Sequence, residues 1–222
     1  MRKLNCSEID KLMHYYDADY TYNQMAKMFG VHPSELRNYL KKIEKPYNIR
    51  KIIKKRKIES LIHFTSKFNE KSIEEYGILS IEKLKKNNIE FENNDELRLE
   101  NKLNGVSLSI TKRNEFLFEK FKKDKIDNKW IEYSIDPKVL IDKECLFYST
   151  NAASGVFYKS RVNGNLLNDV SDFENMFADV IEKTRVIQNR VNKYDNETTC
   201  IQAEIIVLSD IEVKYIKNKK LI

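Results

Sequence analysis

Gly105-Val-Ser-Leu-Ser-Ile110 alternates apolar and hydroxyl side chains residue by residue. A β-strand turns successive side chains to opposite faces, so Val106, Leu108 and Ile110 pack on one side while Ser107 and Ser109 share the other. Two further stretches read the same way. Upstream, Ser60-Leu-Ile-His-Phe-Thr65 is predicted as a short strand that projects His63 and Thr65 from one face, where they can line one pocket. Downstream, Cys200-Ile-Gln-Ala-Glu-Ile-Ile-Val207 is predicted as a strand whose Gln202 and Glu204 point the same way amid apolar neighbours. A wet polar face on an edge strand accounts for any one of these alone; three together are harder to dismiss.

Working outward, Trp130-Ile-Glu-Tyr-Ser-Ile135 reads as another strand, followed by the segment Leu146-Phe-Tyr-Ser-Thr-Asn-Ala-Ala-Ser154. Asn69 is expected to begin a helix carrying Ile73 and Tyr76, stopped by Gly77. Ser171-Asp-Phe-Glu174 has the form of a capping box, and Phe173, Met176, Phe177, Val180 and Ile181 continue it at helical spacing, predicting a core scaffold helix without chemistry. Lys112 and Arg113, with Lys120, Lys122, Lys123 and Lys125, follow the second strand and can bind the phosphates of a single strand. Phe116, Phe118 and Phe121 among them read as helix packing rather than base stacking. Short strands mixed with helices give an α+β class.

The N-terminal part has a different character. Ser7 with Asp10 resembles a helix start, and Ile9, Leu12, Met13 and Tyr16 follow at helical spacing. Thr21 is expected to cap a second helix with Met25, Met28 and Phe29 inward, ending at Gly30, and Pro33 to open a third with Leu36, Tyr39 and Leu40 inward. Small Ala26 and the turn at Gly30 complete the pattern of a helix-turn-helix. In that arrangement the helix from Pro33 to about Lys42 enters the major groove, offering Ser34, Arg37, Asn38 and Lys41; a module for dimerisation or a protein partner is the alternative. A basic run from Lys41 to Lys57 with Pro46 in its middle reads as a tether. The expected division is a helix-turn-helix domain over 1–44, a basic linker over 45–57 and a catalytic domain over 58–222.

Composition narrows the classes. The formal charge of +6 favours a polyanionic partner without demanding one. The five glycines form no G-x-G-x-x-G or Walker loop, so a dinucleotide is not held in the Rossmann manner. Cys6, Cys145 and Cys200 are scattered and odd in number, which supports neither a disulfide framework nor a metal knuckle, and no metal is expected. No apolar run has the length to span a bilayer, giving an expectation of no membrane contact and a cytoplasmic location.

Taken in order, His63-Phe-Thr65, Tyr76-Gly-Ile-Leu-Ser80, Asp95-Glu-Leu-Arg-Leu99, Asn104-Gly-Val-Ser-Leu-Ser-Ile110, Phe147-Tyr-Ser-Thr-Asn-Ala-Ala-Ser154 and Gln202-Ala-Glu-Ile-Ile-Val207 resemble the DarT family of DNA ADP-ribosyltransferase toxins. The Arg98-Leu99 and Asn151-Ala-Ala-Ser154 blocks look more like the branch that modifies guanine than the one that modifies thymine. Glu100-Asn101-Lys102 departs from that branch, which usually has Asp-Gly-His there.

The resemblance implies an ADP-ribosyltransferase-like split β-sheet with flanking helices, NAD⁺ as co-substrate, DNA as acceptor and a cognate antitoxin protein as a possible partner. Glu204 would hydrogen-bond the ribose 2′-hydroxyl and steady the positive charge that develops as the nicotinamide–ribose bond breaks. Gln202 would orient the target base. His63, Phe64 and Thr65 would bind the adenosine ribose and nicotinamide amide regions, Ser107 and Ser109 would shape the nicotinamide pocket, and Arg98 would contact the phosphates of NAD⁺ and the base. Asn151 and Ser154 would close the substrate side, although a turn with local hydrogen bonds explains them equally. Two rivals stay open: a transferase of the same fold acting on RNA, protein or a small molecule, and a DNA-binding regulator without chemistry.

Overall fold

A computed structural model describes residues 4–93, 104–124, 129–157, 166–182 and 185–222. The chain divides into two units, Met1–Asn48 and Ile49–Ile222.

The first unit is helical. Helix α1 (Cys6–Asp17) starts at Asn5, not Ser7: the Asn5 side chain accepts the Glu8 N–H at 2.9 Å and Glu8 reaches back to the Asn5 N–H at 3.0 Å. Helix α2 (Tyr22–Phe29) is capped by Thr21, as expected, and ends at Gly30, whose φ of 62° is the left-handed turn the motif requires. Leu12, Met13, Met25, Ala26, Leu36 and Leu40 form the core. Met28, expected inward, is 53% exposed; Ala26 and Phe29 take the inner face with Met25.

Helix α3 (Pro33–Lys55) runs well past its expected end, so most of the stretch read as a linker is helical and Pro46 lies inside it. Proline inside a helix costs about 3 kcal/mol. Apolar residues continue beyond it, with Tyr47 packed in the first core and Ile49 and Ile52 buried in the second. Each fully buried side chain of this size contributes roughly 1.5–3 kcal/mol, enough to offset the proline. The helix closes only at Lys57, with φ of 52° and a bond from the Ile58 N–H to the Ile53 carbonyl at 3.0 Å.

The second unit is built on a six-stranded sheet in the order β4-β7-β2-β1-β3-β8, all neighbours antiparallel. The strands are β1 (Leu61–Ser66), β2 (Val106–Ile110), β3 (Trp130–Ile135), β4 (Cys145–Tyr148), β7 (Glu204–Val207) and β8 (Ile216–Leu221), with β5 (Val180–Glu182) and β6 (Arg185–Gln188) as a separate hairpin. The alternation in β2 is as predicted: its apolar residues are buried and its serines half-buried. The helices are α4 (Glu70–Tyr76), α5 (Ile81–Lys86), α6 (Glu115–Asp124), α7 (Val139–Asp142) and α8 (Val170–Asn175). One sheet face packs Leu61, Leu108, Tyr133, Phe147 and Ile205 with Phe173 and Met176 in a single core.

Helix α8 is shorter than expected. Asp169 and Asp172 form its capping box, and it ends at Asn175. Phe173, Met176, Phe177 and Val180 are all buried, yet Val180 already belongs to β5, so the apolar spacing arises from a turn between two elements rather than one long helix.

The decisive feature is how β1 meets β2. Only two residue pairs join them, Leu61 with Ile110 and Ile62 with Ser109, whereas β1 pairs with β3 over six and β2 with β7 over three. Past Ile62 the strands part. The sheet is therefore split into a β4-β7-β2 half and a β1-β3-β8 half.

Candidate active site

A cleft opens at this split. His63, Phe64 and Thr65 from β1, Ser107 and Ser109 from β2, and Glu204 at the start of β7 all line it, together with the chain segment 77–84 and Phe91, Glu92 and Asn93. Six of the predicted site residues thus share one concavity. Arg98, with Glu100, Asn101 and Lys102, lies outside the described residues.

His63 spans the gap. Its Nδ1 is 3.1 Å from the Ser107 carbonyl oxygen. A carbonyl can only accept, so Nδ1 carries the proton and the ring is oriented from β2 while its backbone belongs to β1. Ladder pairing has ceased at this level, and a side chain takes over part of its work.

Glu204 is held from the opposite half. Its backbone pairs with Tyr148 of β4, and its Oε2 accepts the Ala152 N–H at 3.1 Å. That N–H is presented by a tight turn: the Asn151 side chain accepts the Ala153 N–H at 2.8 Å and its carbonyl accepts the Ser154 N–H at 2.9 Å. Asn151 and Ser154 are therefore engaged in the turn that orients the carboxylate, the local reading that the sequence left open.

Gln202 is placed differently from expectation. The strand begins at Glu204, and residues 200–203 form a turn closed by the Ala203 N–H on the Cys200 carbonyl at 3.1 Å, so strand alternation does not carry Gln202 to the face of Glu204. Within this turn the buried Cys200 sulfur accepts the Gln202 N–H at 3.3 Å. Ala203, not Gln202, lines the cleft.

Two of the basic residues after β2, Lys112 and Arg113, are also committed, while Lys125 lies outside the described residues. Lys112 pairs with Glu197 at 2.5 Å, and Arg113 sits between Glu132 and Glu115, each at 2.9 Å, with its guanidinium 4.3 Å from the centre of the Phe118 ring. Local carboxylates thus neutralise the two charges expected to meet phosphates. Phe118 is buried and packs edge-on against Phe64 and Trp130, and Phe121 lies against Phe64, as the helix-packing reading has it; Phe116, read the same way, is 61% exposed and departs from it.

Sequence reasoning missed Asn69. It stands just before α4 but makes no cap bond; instead it is buried, donates from Nδ2 to Thr65 Oγ1 at 2.8 Å and to the Glu92 carbonyl at 2.9 Å, and accepts the Glu92 N–H at 2.9 Å. One amide thereby fixes both the β1 wall and the segment that faces it. Position before a helix suggests a cap, and only burial reveals the other use.

The wall over 77–84 has its own brace. Asp210 accepts the Ser80 N–H at 2.8 Å and the Lys83 ammonium at 2.7 Å, and Ile78 and Ile211 exchange backbone bonds. Burial opposes the charge on Asp210, but the Lys83 ammonium and the Ser80 N–H outweigh it and hold the carboxyl below the usual range. Among the described residues no cluster of His, Cys, Asp and Glu is arranged to hold a metal ion, and no helix is long and apolar enough to cross a membrane.

An α+β domain with an antiparallel sheet split around a histidine and a glutamate has the architecture of an ADP-ribosyltransferase. The family model described as ssDNA thymidine ADP-ribosyltransferase, DarT, matches residues 62–218, and the chain belongs to this family. Among solved structures it is similar to Thermosipho africanus DarTG in complex with ADP-ribose, at 15% identity and a TM-score of 0.44, over 73% of this chain and 44% of that one. The chain thus spans less than half the length of that relative. No curated protein matches it by sequence.

Proposed function

We propose that the chain transfers ADP-ribose from NAD⁺ to a base of single-stranded DNA. The observation that carries this reading is the placing of His63 and Glu204 in one cleft, on the two halves of a split sheet, in a member of the DarT family. In the transfer, the bond between nicotinamide and ribose C1′ breaks, nicotinamide leaves with the bonding pair, and a base nitrogen supplies the pair for the new bond. The charge building on the ribose needs a nearby carboxylate, and the base must shed a proton as it bonds. Glu204 serves both demands in our reading, oriented by the Ala152 N–H.

His63, Phe64 and Thr65 take the adenosine ribose and nicotinamide amide regions, and Ser107 and Ser109 shape the nicotinamide end. Donors and hydroxyls on an otherwise apolar wall suit a ligand with an amide, riboses and two flat rings. Arg98 is assigned to the phosphates and the target base on the family resemblance. Gln202, in the turn beside the cleft, is assigned to the base on the same ground.

We assign guanine as the acceptor from the Arg98-Leu99 and Asn151-Ala-Ala-Ser154 blocks; thymine is the second reading, favoured by the description of the matching family. A toxin restrained by a companion antitoxin protein, acting in the cytoplasm, is the setting we propose. Mass spectrometry of oligonucleotides containing a single guanine or a single thymine, incubated with the chain and NAD⁺, decides the base. Modification of RNA or protein alone, or no nicotinamide release with any acceptor, overturns the proposal.

A further inference from the structure

Helix α3 carries eight Lys and Arg against two Glu, which equals the formal charge of +6 of the whole chain, so the rest of the protein sums to zero. The charge is thus concentrated on one element, most of which precedes the region matched by the family model at 62–218.

In the first unit Leu36, Leu40, Ile43 and Tyr47 face the core. At about 100° per residue, Ser34, Asn38, Lys41 and Lys45 fall on the opposite side, flanked by Arg37 and Lys42. Ser34, Arg37, Asn38 and Lys41 are all exposed. Arg37 lies 4.9 Å over the Tyr22 ring, which steadies its stem against α2, and Ser34 is hydrogen-bonded to His32 Nδ1 at 2.7 Å at the turn. The left-handed Gly30 gives α2 and α3 the short turn of a helix-turn-helix.

We propose that this face docks in the major groove of duplex DNA, and that the preferred substrate is therefore a single strand continuous with a duplex; the second clause rests on the cleft reading above. A helix fits the roughly 12 Å major groove, Arg and Asn match base edges there, and lysines along the same helix neutralise phosphates. A single strand has no groove to receive the helix. The cleft, by contrast, acts on a base that is not stacked and paired. One chain with both demands is served best by DNA offering both, because duplex docking raises the effective concentration of the adjoining strand to about the millimolar range.

The test uses the full chain. Anisotropy of a labelled duplex and of a single strand of equal length measures binding at two salt concentrations, and ADP-ribosylation is followed on a single strand alone and on the same strand extended by a hairpin duplex. We expect duplex binding to weaken about a hundredfold from 50 to 200 mM salt, as four phosphate contacts require. The hairpin substrate should be modified about tenfold faster below saturation. Arg37→Glu with Lys41→Glu should remove duplex binding and bring the two rates to a ratio of about one, with circular dichroism showing that the helices persist. Absence of duplex binding, its survival in the double variant, or equal wild-type rates overturns the proposal. Duplex binding lost in the double variant, with no modification of any DNA, sinks the cleft reading and leaves the docking surface standing.

Discussion

The carboxylate of Glu204 on β7 accepts the backbone N–H of Ala152 at 3.1 Å, from the turn that follows the neighbouring strand β4. A backbone donor cannot be lost by side-chain change, so the orientation of this group survives a swap that removes only its charge.

Glu204→Gln should therefore fold as the parent does, since an amide oxygen still accepts from Ala152. Transfer of ADP-ribose should fall by roughly 10²–10³, the scale on which one electrostatic group at the reacting centre acts. Initial rates of nicotinamide release and thermal melting, measured side by side, check this. A rate within threefold of the parent would remove Glu204 from the chemistry.

Asn69→Ala should be costly for a different reason. It removes the hydrogen bonds to Thr65 Oγ1 and to the Glu92 backbone, and the buried Thr65 hydroxyl alone accounts for about 1–3 kcal/mol. Urea denaturation should show that loss, and the KM for NAD⁺ should rise more than kcat falls. Reversed proportions would place Asn69 at the chemistry instead.

Gly77→Ala should be among the most damaging single changes. Its φ of 81° is rare for residues with a side chain, and a Cβ there would collide with the Ile211 carbonyl oxygen. The penalty is about 1–3 kcal/mol for the conformation alone. Chemical denaturation of this variant beside Gly155→Ala, where the added carbon meets nothing, isolates the effect.

Asp210 makes a prediction about acid. Its carboxyl lies below the ordinary value of 3.8 in the folded protein, so the stability it contributes is fully present above that value and is lost as pH falls through the lower, folded one. Asp210→Asn should flatten this part of the profile when melting is followed from pH 6 down to about 2. An unchanged acid limb would show that the Lys83 pair contributes nothing there.

A period-two pattern made β2, and most of β3, legible, since half-buried strands announce themselves by alternation; β1, read as a strand too, does not alternate in burial. Thr21, Gly30 and Pro33 likewise marked the two ends of α2 and the start of α3 by local chemistry. What failed was nonlocal. Pro46 and a run of lysines read as a break, but burial of Ile49 and Ile52 carries the helix through. Phe173 to Val180 imitated one helix because a helix, a turn and a strand happen to bury residues at that spacing, whereas Ile181 is exposed. Gln202 was misplaced because the strand starts only at Glu204, after a turn that alternation does not mark. Asn69 passed as a cap because its partners lie 4 and 23 residues away.

Two rungs between β1 and β2 also have a bearing on how such an enzyme changes over generations. Each leaf keeps its own ladders, so alterations around Asn151 and Glu204 reach the strand that carries His63 chiefly through those two rungs and the His63–Ser107 bond. On the proposed reading Ser107, Ser109 and Glu204 stand on one leaf and His63 and Thr65 on the other, so hold on the dinucleotide is inherited from both.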